Sequence, residues 1–375
     1  MACEYIANDL QMQNLVEVLK SCTEIGLDTE FENASATAHF PQLCLIQVSY
    51  VVNSLVNIAI IDVLSPDLNV KKYFREVLQD SRICKIIHSA ENDLQILSHY
   101  FGVLVRNFVD TQVAFLMQSC EKTLIGYGDL AGSLCNVTIL KDLQRFNWDK
   151  RPLSLGKIEY AANDVRYLLE IWHILREILN NNGNFSRFQY DMENWYEFSA
   201  RKLNFAYKKV EFDANSLNCL QFSRLVKLAT LREMEAISQN LIRKKVISDG
   251  DILQAISLNY TAVCEFLEGV NSVLCLDFIK KIDENNWNER APIYDMRLFE
   301  ENRVKMQEIS DKIRSILHKT SKECNISTII IANSNELKTL GKAVFLNLPI
   351  SDFTPYLLEN WRGELFGKKI LSLQI

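Results

Sequence analysis

Three apolar, strand-favouring runs follow one another early in the chain, at 24–31, 43–52 and 56–62, and helical patterns interleave with a short strand only afterwards. This order limits the possible folds most. Strands joined by short connections pair antiparallel, whereas a strand that returns after a helix pairs parallel. The pattern predicts an antiparallel start to a mixed sheet. Residues 10–21 carry Leu10, Leu15, Val18 and Leu19 at helical spacing, and 67–79 read as a second helix. Residues 83–87 read as a short buried strand, with a helix beginning near Asn92 and Asp93. One long helix is expected over 154–181, after Pro152 and before the stop signal Asn180-Asn181-Asn182-Gly183. Together these predict an α/β domain of a mixed sheet flanked by helices. After Gly183 the chain reads as mostly helical to about residue 320, with a last unit over about 300–375.

At 375 residues, with 48% apolar and 23% charged side chains, the composition is that of a globular protein with room for two or three domains. The first residues lack a basic segment followed by an apolar one, so no signal peptide is expected. No apolar run reaches the roughly 18 residues that span a bilayer. The best, Tyr50–Leu64, is broken by Asn53, Asn57 and Asp62. Ten cysteines are scattered without a CxxC pair or zinc spacing, which fits buried small residues in a reducing cytoplasm. Residues 1–200 hold 16 Lys+Arg against 25 Asp+Glu, and residues 201–375 hold 25 against 22. A net −6 excludes a nonspecific polycation, so any nucleic-acid chemistry has to rely on bound cations and local basic patches.

The acidic half contains a specific pattern. Asp28 and Glu30 stand two apart in the first strand, so both carboxylates face one way. Alone, the pair fits an exposed acidic strand as well as a cation site. Asp93 begins a helix after a buried strand. Tyr160 and Asp164 stand four apart and share a helix face. Four converging carboxylates repel one another and raise each other's pKa. Two divalent ions about 4 Å apart would relieve that repulsion, and such a pair suits phosphodiester hydrolysis. Mg²⁺ or Mn²⁺ fits a set of carboxylates without a Cys or His cluster. Thr29 and Phe31 are expected on the opposite face, in the core.

These residues carry a resemblance. Asp28-Thr29-Glu30-Phe31 with Pro41-Gln42-Leu43-Cys44-Leu45-Ile46-Gln47, then His88-Ser89-Ala90-Glu91-Asn92-Asp93, then Tyr160-Ala161-Ala162-Asn163-Asp164 occur in order. Over about residues 5–185 they resemble the ribonuclease D family, in the tyrosine branch of the DEDD superfamily of 3′→5′ exonucleases. Asp110-Thr111-Gln112 and Arg151-Pro152-Leu153-Ser154 resemble further family blocks, while 141–147 departs from the usual wording. The resemblance implies a ribonuclease-H-like fold. It also implies a metal held by Asp28, Glu30 and Asp164, and a second one bridged by Asp28 and supported by Asp93. Tyr160 would orient or help deprotonate the attacking water. Other residues have open readings. Phe40 would stack on a terminal base or pack in the core; Arg151 would contact a phosphate or lock the start of the last helix. His88 would be structural near the strand end or touch substrate, and Gln42 is a further candidate contact.

In the helical half, Leu231-Arg232-Glu233 with Ala236, Val246-Ile247-Ser248-Asp249 and Ile252-Leu253 resemble the HRDC domain, the helicase-and-RNase-D C-terminal domain. The closing stretch Tyr356–Leu371 resembles a second, more divergent unit of that kind. Expected domains are an exonuclease domain over 1–190, an HRDC domain over 210–292 and an HRDC-like domain over 298–375, both all-α bundles. Arg243-Lys244-Lys245 and Lys368-Lys369 are candidate RNA contacts or solvated helix ends. The expected protein is a cytoplasmic, monomeric, metal-dependent exoribonuclease acting on tRNA precursors and similar small structured RNAs, away from membranes. The rivals are a DNA 3′→5′ exonuclease with the same site and a catalytically silent RNA-binding scaffold.

Overall fold

A computed structural model describes residues 3–32, 36–139, 147–213, 216–270, 281–291, 293 and 295–373. Of the divergent stretch 141–147, only Asn147 lies within these residues. The chain forms two compact units, one of residues 1–34, 41–193 and 325–330, the other of 35–40, 194–324 and 331–375.

The first unit is built on a six-stranded sheet of β1 (Cys3–Ile6), β2 (Glu24–Glu32), β3 (Gln42–Val52), β4 (Leu55–Asp62), β5 (Cys84–Ile87) and β6 (Phe108–Asp110). The order is β1-β4-β3-β2-β5-β6. β2, β3 and β4 pair antiparallel, whereas β1 on β4, β5 on β2 and β6 on β5 pair parallel. This is the expected mixed sheet. β1 and β6, of four and three residues, are not among the expected strands; β5 is as short as β1 but is more apolar. The helices around the sheet are α1 (Asp9–Leu19), α2 (Val70–Gln79), α3 (Glu91–Phe101), α4 (Thr111–Leu116), α5 (Tyr127–Cys135), α6 (Leu155–Arg166), α7 (Leu168–Asn181) and α8 (Phe185–Glu193).

The expected single helix over 154–181 is two, α6 and α7, broken at Tyr167, where φ is −109° and ψ 2°. The cause is an inserted side chain. The Tyr127 hydroxyl donates to Asn163 O at 2.9 Å and accepts from Tyr167 N at 3.0 Å. It thus occupies the place of the i→i−4 bond between Tyr167 and Asn163, a recognised source of sharp kinks. Gly26 also shapes this region. A Cβ there would lie 2.2 Å from Ser49 Oγ and 3.1 Å from Leu168 Cβ, so only glycine lets α7 press onto β2 two residues before Asp28.

The second unit is helical. A 3₁₀ segment, Arg201–Lys209, leads to α10 (Cys219–Gln239), preceded by α9 (Trp195–Ala200) and followed by α11 (Arg243–Val246), α12 (Asp249–Ala255) and α13 (Tyr260–Val270). Leu225, Leu228, Ala236, Ile252, Val263 and Trp287 are among the residues of one core cluster. The motif residues of the sequence have structural duties here. Arg232 is 1% exposed and pairs with Asp249 at 2.6 Å, tying α10 to the start of α12, and Ser248 caps α12 by accepting from Asp251 N. Residues 36–40 also belong to this unit: Ile242 N donates to Thr37 O, His39 N to Asn240 O, and Phe40 N to Asn240 Oδ1 at 2.8 Å. No helix of the described residues is long and apolar enough to cross a membrane.

Candidate active site

β2 enters the sheet with Asp28 opposite Gln47 and Glu30 opposite Leu45, so the two acids share a face, as strand alternation requires. The register slips just after Glu30. α6 packs against β2, β3 and β4, and carries Tyr160 and Asp164 one turn apart. The result is a cluster in which one carboxylate oxygen each of Asp28, Glu30 and Asp164 lies within 4.8 Å of the others.

Asp93 stands outside that trio. It occupies the first turn of α3, is 7% exposed, and accepts a short hydrogen bond from the Thr29 hydroxyl. Thr29 is therefore buried as expected, yet it does more than fill the core. Its side chain holds the fourth acid, a duty invisible in a strand pattern because Asp93 is 64 residues away. Asp93 still acts electrostatically on its neighbours. Burial, then Asp93, Asp164 and Glu30, push the Asp28 carboxyl well above its ordinary value. Burial, then Asp164 and Asp93, raise Glu30 to about 8, and burial raises Asp164 to about 7. Burial lifts Asp93 to about 6 against the opposing Thr29 hydrogen bond. Each shift reflects the cost of negative charge in a confined place without compensation.

The Tyr160 phenol is also pushed up, by burial and then by Asp164, Glu30 and Asp28, so it stays protonated. Its ring leans on Trp148 at 6.1 Å between centroids, and Trp148 N donates to Glu32 Oε1 at 2.8 Å. Arg151 anchors the same loop. It grips Asp62 with Nε at 2.7 Å and Nη2 at 2.5 Å, and its Nη1 donates to Trp148 O at 2.6 Å. Tyr5 adds its hydroxyl to Asp62 at 2.5 Å. Arg151 thus ties the loop before α6 to the end of β4.

His88 is likewise committed. Nδ1 lies 2.9 Å from Thr111 Oγ1 and Nε2 3.0 Å from Ile125 O, joining the end of β5 to α4 and to the turn before α5. Burial lowers its pKa, so the ring is neutral. Asp110 accepts from the backbone N of Ser89, Ala90 and Gln112 at 2.8–3.0 Å, fixing the turn from which α3 presents Asp93. Gln42 is exposed at the start of β3. Phe40 is half-buried, 4.8 Å from the His39 ring, and lies in the second unit. The basic residues there divide. Arg243 pairs with Glu233, which Lys209 also contacts, while Lys244 and Lys245 are exposed. Lys369 pairs with Glu323, and Lys368 is exposed.

The donor set suits a divalent cation. Three carboxylates converge with no Lys or Arg pairing to Asp28, Glu30 or Asp164 among the described residues, and burial raises the proton affinity of each. Hard oxygen donors favour Mg²⁺ or Mn²⁺ over softer ions.

Residues 3–180 match the 3′-5′ exonuclease domain family. The chain is a 3′→5′ exonuclease by its first unit. Ribonuclease D of Sphingobium indicum is 27% identical over 365 residues, covering 93% of this chain and 88% of that protein. Ribonuclease D of Haemophilus influenzae is 28% identical, covering 98% and 91%. The crystal structure of Escherichia coli RNase D, an exoribonuclease involved in structured RNA processing, shares the fold at a TM-score of 0.70 and 23% identity, over 100% of this chain and 98% of that one. The first unit thus carries a 3′-5′ exonuclease domain, and over nearly its whole length the chain is similar to ribonucleases D.

Proposed function

We infer that the protein is a metal-dependent exoribonuclease that shortens RNA from its 3′ end and releases 5′-mononucleotides. The observation that carries this is the convergence of Asp28, Glu30 and Asp164 within 4.8 Å, although Asp164 stands 136 and 134 residues after the other two. Asp28, Glu30 and Asp164 would hold one divalent ion, and Asp28, with Asp93 beside it, a second. Bound there, two such ions supply a deprotonated water and neutralise charge growing on the phosphodiester.

The chain's own groups do the rest. Thr29 fixes Asp93, so the fourth carboxylate keeps one orientation. Tyr160 keeps its proton and donates from the helix face that presents Asp164, orienting the attacking water. Trp148 and Arg151 keep α6 in place. In the chain order 1–190, 210–292 and 298–375, we assign an exonuclease domain and two HRDC-type units that grip structured RNA, with tRNA precursors in the cytoplasm as substrates of a monomeric enzyme.

Incubation with a 3′-extended tRNA, with and without Mg²⁺ or Mn²⁺, tests the reading. The expected outcome is stepwise metal-dependent loss of 3′ nucleotides as 5′-monophosphates. Preferential digestion of a matched DNA overhang would point to a DNA exonuclease. RNA binding without any metal-dependent release would point to a silent scaffold.

A further inference from the structure

The contiguous basic runs of the second unit are partly tied into the fold, Arg243 by Glu233 and Lys369 by Glu323. Another set of lysines comes together only through folding. Lys208 is the penultimate residue of the 3₁₀ segment Arg201–Lys209, and Lys338 and Lys342 lie in the helix Ser334–Phe345. The Lys208 ammonium donates to Asn335 Oδ1, which brings the segment end onto the first turn of that helix. Asn335, Lys338 and Lys342 are spaced i, i+3, i+7 and share one face. Three ammonium groups therefore line about 10 Å of one helix face.

Among the described residues their partners are neutral, Asn335 Oδ1 and the Phe205 ring for Lys208, and Met296 Sδ and the Phe299 ring for Lys342. None of the three makes an ion pair with a carboxylate there. Lys338 and Lys342 form a like-charge i, i+4 pair, which destabilises a helix. Lys342 Nζ sits 3.2 Å from Met296 Sδ and 4.7 Å from the centre of the Phe299 ring, a cation–π contact that holds the ammonium but offers it no negative charge. Burial, then Lys208 and Lys338, lower its pKa to about 8. Burial and Lys338 lower that of Lys208. Charges gathered at such a cost call for an anion.

We propose that Lys208, Lys338 and Lys342 form a binding site for successive backbone phosphates of RNA. The proposal rests on the exoribonuclease reading for the identity of the polymer. A line of compact lysine charges suits a phosphodiester chain better than one free phosphate, which is gripped best by a planar arginine fork or a nest of backbone N–H groups. The helical half carries the net positive charge that a polyanion requires, 25 Lys+Arg against 22 Asp+Glu over residues 201–375.

The test uses the full chain carrying Asp28→Asn, which prevents turnover, and a labelled hairpin RNA with a 3′ overhang. The dissociation constant is measured over a series of KCl concentrations. Replacing all three residues (Lys208→Gln, Lys338→Gln, Lys342→Gln) is expected to reduce the slope of log Kd against log salt by roughly two to three, at about 0.7–0.9 per phosphate contact. The melting temperature should not fall, since the variant relieves like-charge repulsion, and the triple Lys→Arg variant should keep the wild-type slope. Should the triple Gln variant not fold, Lys208→Gln and Lys338→Gln, both at exposed positions, are each expected to lower the slope by roughly one. A folded Gln variant with an unchanged slope, or an Arg variant that loses the slope as the Gln variant does, overturns the site and leaves the nuclease reading intact. Failure of the parent chain to bind RNA at low salt overturns both.

Discussion

The charged side chains of β2 and α6 have paired duties that substitution separates. Asp28→Asn and Asp164→Asn each remove one anionic donor while keeping shape. Both are expected to lower kcat by at least a thousandfold while RNA affinity without metal changes less than about threefold, because these groups serve the cation more than the polymer. Turnover assays beside filter binding would show it. Tyr160→Phe removes only a hydroxyl. A loss of 10²–10⁴ in kcat, the usual contribution of a positioned proton-transfer group, is expected with an unchanged melting temperature. Thr29 illustrates what a single residue hides. Alternation gives its face, but not that its hydroxyl meets Asp93, which the chain brings back only after three more strands and a helix.

Elements position these groups through two close approaches. At Gly26, an added methyl collides with Ser49 Oγ and Leu168 Cβ where α7 meets β2. Gly26→Ala is expected to cost about 1–3 kcal/mol, read by chemical denaturation. At the α6–α7 junction, the Tyr127 hydroxyl spans Asn163 O and Tyr167 N, next to Asp164. Tyr127→Phe would leave a carbonyl and an amide without their partner, costing about 1–3 kcal/mol. It is also expected to lower kcat roughly tenfold through displacement of Asp164, the factor that 1.4 kcal/mol represents. A variant that loses stability but keeps full kcat would show that the kink does not position Asp164. The expected single helix over 154–181 missed this break because both segments continue one apolar period. The interrupting residue lies 40 positions upstream.

For the molecule as a whole, the buried acids link stability to pH. Glu30 near 8, Asp164 near 7 and Asp93 near 6 all hold protons more tightly folded than unfolded. Their contribution is therefore complete below the unfolded carboxylate range. It declines as pH rises from about 4 towards 8, because the unfolded chain releases its protons first. Metal-free protein is expected to melt at a progressively lower temperature over that range. Added Mn²⁺ should raise the melting temperature most near pH 8, where the carboxylates no longer need protons displaced, and chelator should reverse it. A pH-independent melting temperature in chelator would contradict the raised pKa values. All three acids lie in the first unit, which places this dependence there.

The sequence by itself determined the period of each long element, the shared face of Asp28 and Glu30, the one-turn spacing of Tyr160 and Asp164, and a mixed sheet followed by helices. All of these depend on residues close in the chain, where strand alternation and helical pitch are fixed by covalent geometry. Tertiary structure alone decided the distance between β2 and α6, the hydroxyl that holds Asp93, the break at Tyr167, the commitment of Arg151 to Asp62, and the lysines drawn together from 208 and 338–342. Those features join residues tens to more than a hundred positions apart. Local propensity carries no record of such meetings, because packing and the pairing of buried polar groups select them only once the whole chain has closed.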